Sequence, residues 1–134
     1  MMRYFLLVVL LLCFVVGCGS GHVQLRGKVV FSDDGSPLTT GTVTLSSPTF
    51  QSRGEIGENG QFVMESLRPG DGLPPGTYTV TIVAVTSDDR GMYSLIDTKW
   101  SSTVNSGKTI DVDKMTRFIE IEVDRNPLPI PGRR

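Results

Sequence analysis

The sequence predicts an all-β sandwich, and three observations support this fold class. Between residues 23 and 125, short runs of β-branched side chains alternate with polar ones, which is the period of a strand with one buried face. Glycine, proline, asparagine and aspartate separate these runs, and these residues favour tight turns. No stretch of this region keeps the 3.6-residue apolar period of a helix. The region is also long enough to bury one core.

The first strands are predicted from this alternation and from the turn residues between them. Residues 22–31 place valine, leucine and phenylalanine side chains on one face, and Asp34-Gly35 supplies the following turn. Residues 41–47 form the second strand. Residues 53–67 are predicted to form a hairpin around Asn59-Gly60, because Asn-Gly between alternating runs is a strong hairpin signal.

The clearest strand is predicted at residues 76–86. Alternate residues from Tyr78 to Ala84 share one face, whereas Val83 and Val85 interrupt the pattern. We therefore expect a central strand that is covered on both sides at that end. The remaining segments are predicted as a polar loop (87–94), a short edge strand (95–100), a second loop (101–107) and two closing strands (108–113 and 117–124).

The N-terminus has the pattern of an export signal. Arg3 precedes 13 apolar residues, Tyr4–Val16, a length that suits a signal peptide and is too short to span a membrane. The stretch Val15-Val16-Gly17-Cys18 resembles the lipobox of bacterial lipoproteins. The resemblance implies that residues 1–17 are removed together with Cys13, and that the Cys18 thiol carries a diacylglycerol. The alternative is a plain secretory signal in which Cys18 is incidental.

The predicted organisation therefore has four parts. They are a lipoprotein signal peptide (1–17), the acylated cysteine with a short tether (18–22), the β-sandwich (23–125) and a proline-rich C-terminal tail (126–134) that we expect to be extended. Only Gly19–Gly21 separates Cys18 from the first strand, and a fully extended chain of this length spans roughly 10–15 Å. The sandwich is therefore expected to lie close to the membrane surface.

Landmarks between residues 23 and 86 resemble carboxypeptidase regulatory-like domains. The similar landmarks are Gly27, DGSPL (34–38), Gly41-Thr42-Val43 and ENGQF (58–62), followed by LPPGTYTV (73–80), which matches almost letter for letter. The resemblance implies a seven-stranded, immunoglobulin-like sandwich of the transthyretin (prealbumin-like) type. Small bacterial lipoproteins built from one such domain form a recognisable group.

The segment LPPGTY also has a structural interpretation of its own. Pro74-Pro75 enforces an extended approach, and Gly76 relieves a tight corner. Tyr78 can then bury its ring while its hydroxyl bonds to backbone, as in the tyrosine corner of related sandwiches. We expect both Gly76 and Tyr78 to be structural residues.

The composition argues against several kinds of chemistry. Thirteen basic residues balance 14 acidic ones for a net charge of −1, without the basic excess of a nucleic-acid-binding protein. His22 is the only histidine, and Cys18 is the only cysteine outside the signal segment, so catalysis or zinc binding through these residue types is not expected. Hydroxyisourate hydrolase, an enzyme of transthyretin shape, depends on several histidines and a Tyr-Arg-Gly-Ser ending. This chain has one histidine and ends in PIPGRR, so that activity is not expected. We expect no metal and no cofactor.

Two sets of residues are candidates for ligand binding. Acidic side chains could coordinate Ca²⁺, although turn formation is the interpretation we favour for them. Trp100 and Tyr93 could form an exposed platform for a sugar or a protein, whereas the favoured alternative is that Trp100 closes the core. The acidic sets are Asp33-Asp34, Asp88-Asp89 and Asp111 with Asp113.

These observations favour a non-catalytic, lipid-anchored protein of the bacterial cell envelope that acts as a structural or interaction module. The membrane is then one partner, an envelope protein or a glycan is the second, and nucleic acid is not a partner. Gly19 stands where an aspartate is associated with inner-membrane retention in some bacteria, so the outer membrane is favoured over the inner one. The alternatives are a glycan- or peptide-binding module that uses residues 87–107, and an enzyme of unrecognised type.

Overall fold

Nine strands form in residues 21–127, the part of the chain that the computed structural model describes. They are β1 (Arg26–Phe31), β2 (Thr42–Ser46), β3 (Gln51–Glu55), β4 (Gln61–Val63), β5 (Gly76–Val83), β6 (Val85–Asp88), β7 (Gly91–Ser94), β8 (Thr109–Val112) and β9 (Phe118–Val123). A 3-10 helix, Thr98–Ser101, lies between β7 and β8. The predicted signal peptide, Cys18 and residues 128–134 of the predicted tail lie outside the described residues.

Seven of these strands form the two sheets of a sandwich. The smaller sheet has the order β4-β1-β9 and the larger one has the order β3-β2-β5-β8. Neighbouring strands are antiparallel except for β1 and β9, which are parallel. The predicted all-β sandwich is therefore confirmed, with β6 and β7 added as a separate two-stranded ribbon.

The core lies between the sheets, where the alternating pattern places it. Successive residues of β5 alternate between the interior and the outer face from Tyr78 to Ile82, and Ala84 continues the buried series. The other strands follow the same rule, because a strand turns successive side chains to opposite faces. Residues buried from these strands include Val29 and Phe31 of β1, Val43 and Leu45 of β2, Phe62 of β4, Val112 of β8, and Ile121 and Val123 of β9.

One expectation about β5 is correct and another is wrong. The strand is central, since it pairs with β2 on one side and with β8 on the other. The far end is not covered on both faces, however, because Val83 is 49% exposed and Val85 is 42% exposed. These valines continue the simple alternation onto the solvent side, where isolated apolar side chains are common.

Residues 87–100 also differ from the prediction. The predicted polar loop 87–94 is part of the β6–β7 hairpin, in which Ser87 pairs with Met92. The predicted edge strand 95–100 instead contains a single bridge between Ile96 and Arg125, followed by the 3-10 helix. Asp97 favours this helix because its carboxylate accepts a hydrogen bond from the Lys99 amide at 3.0 Å.

The predicted hairpin at Asn59-Gly60 has the expected turn but an unexpected pairing. Gly60 has a φ of +79°, and Asn59 accepts a hydrogen bond from the Gln61 amide. The flanking strands nevertheless separate, since β3 pairs with β2 and β4 pairs with β1. The two remain connected by one bridge, Arg53 with Glu65, so this segment crosses from one sheet to the other.

Candidate functional site

The described chain begins at the end of the sandwich where β1 starts, which we call the tether end. Val23 donates a backbone hydrogen bond to Leu73 at 2.7 Å and accepts one from the Leu73 amide at 3.1 Å. Gly21 lies beside this bridge, three positions after Cys18. The proposed lipid attachment point is thus close in sequence to a segment that is paired into the domain.

The corner residues lie near the tether end. Tyr78 is buried, and its hydroxyl donates a hydrogen bond of 2.6 Å to the carbonyl of Pro74. Burial raises the pKa of Tyr78 above its ordinary value. A Cβ added at Gly76 would lie 3.6 Å from the Tyr78 ring, an ordinary contact distance, so crowding does not require glycine there. The Tyr78 hydroxyl therefore closes this corner by its bond to the Pro74 carbonyl, and the expected steric need for Gly76 is not seen.

Trp100 and Tyr93 do not form an exposed platform. Trp100 projects from the 3-10 helix into the core and is only 6% exposed. Tyr93 lies in β7 and is half-buried, and its pKa is raised by partial burial and by the charge of Asp88. The exposed platform considered for Trp100 is therefore absent, and its burial fits the favoured interpretation, in which Trp100 closes part of the core.

The first acidic pair is held by an arginine at the opposite end of the sandwich, which we call the far end. Arg125 contacts Asp33 at 2.7 Å and Asp34 at 3.0 Å, and its guanidinium lies 3.8 Å from the centre of the Phe31 ring. Hydrogen bonds from Ser36 and the nearby charge of Arg125 lower the pKa of Asp34 to about 2. These carboxylates therefore bind the end of β9 to the loop that follows β1.

Asp88, Asp111 and Asp113, three of the other acidic residues singled out in the sequence, accept hydrogen bonds from protein groups. Asp88 accepts one from the Arg90 amide at 2.8 Å, and Asp111 accepts one from the Thr77 hydroxyl at 2.7 Å. Asp113 accepts three from its own loop. Within residues 21–127, no group of three or more histidine, cysteine, aspartate or glutamate side chains has an arrangement that could hold a metal ion. The turn interpretation fits Asp88 and Asp113, whereas Asp111 lies in β8 and its hydrogen bond joins that strand to β5.

Residues 66–71 form a loop at the tether end that is closed by one carboxylate. Asp71 accepts hydrogen bonds from the Ser66 amide at 2.6 Å, the Ser66 hydroxyl at 2.7 Å, and the amides of Leu67 and Arg68. These donors, with the Ser66 hydroxyl the strongest, hold the pKa of Asp71 well below its usual range. The Leu67 side chain is left 95% exposed.

Residues 113–117 form a second loop of the same kind beside the N-terminal segment. Asp113 accepts hydrogen bonds from the Met115 amide at 2.7 Å and from the Thr116 amide and hydroxyl. Met115 is 83% exposed, between Lys114 and Arg117. A depression of about 410 Å³ joins this loop to the segment before β1, and it is lined by Gly21, His22, Val23, Gln24, Lys114 and Arg117.

Sequence analysis did not identify these two loops as a site. The available signal was an apolar residue next to basic ones inside a turn, in SLRPGD (66–71) and in DKMTR (113–117). Their common position at the tether end follows only from the pairing of β4 and β9 with β1. A sequence pattern alone does not give this arrangement.

Asp71→Asn is expected to reduce the loss of stability on acidification. The folded-state pKa of Asp71 is depressed, so its stabilising contribution is complete above the unfolded value of 3.8 and is lost as the pH falls through the folded value. Lowering the pH from about 5 to about 2 should therefore reduce the Tm of the wild type by more than that of the variant. Ser66→Ala, which removes the strongest donor, should give an intermediate loss. An equal loss in wild type and Asp71→Asn would contradict this account.

A larger groove lies away from residues 87–107. Its volume is about 560 Å³, and its lining includes Arg26, Glu55, Gln61, Phe62 and Phe118. None of these lining residues belongs to 87–107, so this groove is not the ligand site that was considered for that region.

Within residues 21–127, no helix is long and apolar enough to cross a membrane.

Comparison with known proteins gives distant structural similarity alone. No protein-family model matches the chain, and no curated protein matches its sequence. Two structures of BcpA, the major pilin subunit of Bacillus cereus, are similar over 78% of this chain and 30% of theirs, with a TM-score of 0.46 and 13% and 12% identity. A 9R-lipoxygenase from Cyanothece PCC8801 is similar over 89% of this chain and 19% of its own, with a TM-score of 0.42 and 15% identity. The chain spans less than a third of each of these proteins, so function must be argued from its own residues.

Proposed function

We propose that the protein is a lipid-anchored β-sandwich that serves as a non-catalytic structural or interaction module on a membrane of the bacterial cell envelope. One observation carries this proposal. A lipobox-like stretch ends at Cys18, and only five residues later Val23 is hydrogen-bonded into the sandwich. Such an arrangement keeps the domain at the membrane surface. Several acyl chains, at ~0.8 kcal/mol per buried CH₂, make such attachment stable.

The state of the carboxylates supports a non-catalytic role. A general acid at neutral pH needs a raised pKa, usually from an apolar cleft. Here the pKa values of Asp34, Asp113 and Asp124 are lowered, because each carboxylate accepts hydrogen bonds from protein donors. These groups stabilise loops and strand ends, which suits a module whose role is binding or scaffolding.

The proposed function also includes a class of partner and a choice of membrane. We favour an envelope protein or a glycan as the partner, and the outer membrane as the location, since Gly19 follows Cys18. A binding role for residues 87–107 has less support, because Trp100 is buried.

Cys18→Ser is expected to abolish lipid attachment. Cells that express the full chain with labelled palmitate should incorporate label into the wild type, and the mass of the mature protein should show an acylated Cys18 as its first residue. Cys13→Ser is the matched control, since Cys13 lies in the segment to be removed, and it should leave the label unchanged. The mass also shows whether residues 1–17 remain, so an uncleaved signal cannot be confused with a lipid anchor. Label retained by Cys18→Ser would refute the proposed attachment.

A further inference from the structure

Two loops of the same design flank the start of β1. In each, an aspartate accepts hydrogen bonds from its own loop, the half-buried Asp71 in one and the exposed Asp113 in the other. In each, an apolar side chain is left projecting into solvent, Leu67 in one and Met115 in the other. Each carboxylate is thus engaged by hydrogen bonds within its loop, while the apolar side chain at the tip of the loop projects into solvent.

The sheet register places these loops on opposite sides of the N-terminal segment. Arg26, the first residue of β1, pairs with Val63 of β4 on one side and with Phe118 of β9 on the other. The loop 66–71 follows β4 and the loop 113–117 precedes β9. We call the surface formed by these two loops and residues 21–24 the tether-end surface.

Charge also distinguishes this surface from the far end. The tether-end surface carries three basic side chains, Arg68, Lys114 and Arg117, and two acidic ones, Asp71 and Asp113, for a net charge of +1. Glu65, at the base of the first loop, accepts a hydrogen bond from the Gly70 amide. The far end instead carries Asp33 and Asp34 in the loop after β1, where both contact Arg125, and Glu58 in the turn before β4.

We propose that the tether-end surface docks on the headgroup region of an anionic bilayer, the one that holds the Cys18 anchor. Leu67 and Met115 enter the interface, and Arg68, Lys114 and Arg117 contact lipid phosphates. Exposed apolar side chains flanked by basic ones suit this boundary, where burial of apolar area and attraction to anionic lipid act together. The inference rests on the proposed lipid attachment. It adds that the domain is held in one orientation, with the far end directed away from the membrane.

Site-specific fluorescence on the acylated protein tests this orientation. The mature chain would carry no free thiol once Cys18 is acylated, so Leu67→Cys, Met115→Cys and Glu58→Cys can each be labelled with bimane as single sites. The proteins are reconstituted into vesicles of phosphatidylcholine with phosphatidylglycerol that contain a nitroxide-labelled lipid. We expect blue-shifted and quenched emission at positions 67 and 115, and water-like, unquenched emission at the control position 58.

The role of the basic residues is tested in the same vesicles. Arg68→Gln and Lys114→Gln should each reduce the ratio of docked to undocked domain by about fivefold, the effect expected for one basic residue near an anionic surface. Arg90→Gln, in the β6–β7 turn, is the matched control and should have no effect. In vesicles of phosphatidylcholine alone, quenching at positions 67 and 115 should decrease in all of these proteins.

The outcomes separate this inference from the proposed function. If Cys18→Ser still incorporates palmitate, the proposed lipid attachment at Cys18 is refuted, whatever the fluorescence shows. If Cys18 is acylated but the emission is equally water-like at all three labelled positions, the docking proposal is refuted and the lipid anchor stands. Labels at 67 and 115 that are shielded in native envelope membranes but exposed in protein-free vesicles would assign the tether-end surface to a protein partner and overturn lipid docking.

Discussion

Gly72→Ala is expected to destabilise the domain by about 3 kcal/mol, through overpacking together with a strained backbone. Gly72 has a φ of +71°, a conformation that L-residues adopt at a cost. A Cβ at this position would overlap the carbonyl oxygen of Val23 and lie 2.6 Å from its carbonyl carbon. That carbonyl accepts the Leu73 amide, so relief of the clash requires loss of the bridge that joins the N-terminal segment to the sandwich.

Gly70→Ala is the matched control for this prediction. Gly70 has almost the same φ, +70°, and lies two residues earlier in the same loop. No heavy atom lies within 4 Å of a Cβ built there, so only the backbone strain, about 1 kcal/mol, should be measured. Urea unfolding of both variants gives the comparison. Equal losses would show that the approach of Gly72 to Val23 is not as close as described.

Features that depend on local alternation could be predicted from the sequence. The buried series Tyr78, Val80, Ile82 and Ala84 was evident because a period of two is visible within a single strand. The segment 87–94 lacked this signal, since Met92 is exposed and the β6–β7 ribbon has little buried face. The 3-10 helix that follows is a single turn, which is too short for a helical period to appear.

Features that depend on distant pairing could not be predicted. The turn at Asn59-Gly60 is a local property, but the assignment of β3 and β4 to different sheets depends on β2 and β1. The contacts of Arg125 with Asp33 and Asp34 join residues about 90 positions apart. The tether-end surface has the same origin, because its two loops meet the N-terminal segment through strand register rather than through sequence proximity.

Gly27→Ala is expected to cost about 2–3 kcal/mol of stability, by overpacking alone. Gly27 lies in the middle of the smaller sheet, where it pairs with Phe62 of β4 and with Ile119 of β9. A Cβ there would overlap the Phe62 ring and lie 2.6 Å from the Ile119 carbonyl oxygen. Gly27 has no positive φ, so the expected loss is steric and not conformational. This also gives a physical reason for glycine at the first landmark of the domain resemblance.

Two further variants decide whether Phe62 is the obstacle. Gly57→Ala places a Cβ 3.6 Å from its nearest neighbours, an ordinary contact, and should change stability by less than about 0.5 kcal/mol. Phe62→Leu combined with Gly27→Ala should cost less than the sum of the two single changes, because the smaller side chain frees part of the space that the methyl group needs. Strict additivity would mean that the ring does not pack against the Gly27 backbone, and that the Ile119 carbonyl alone excludes a side chain at this position.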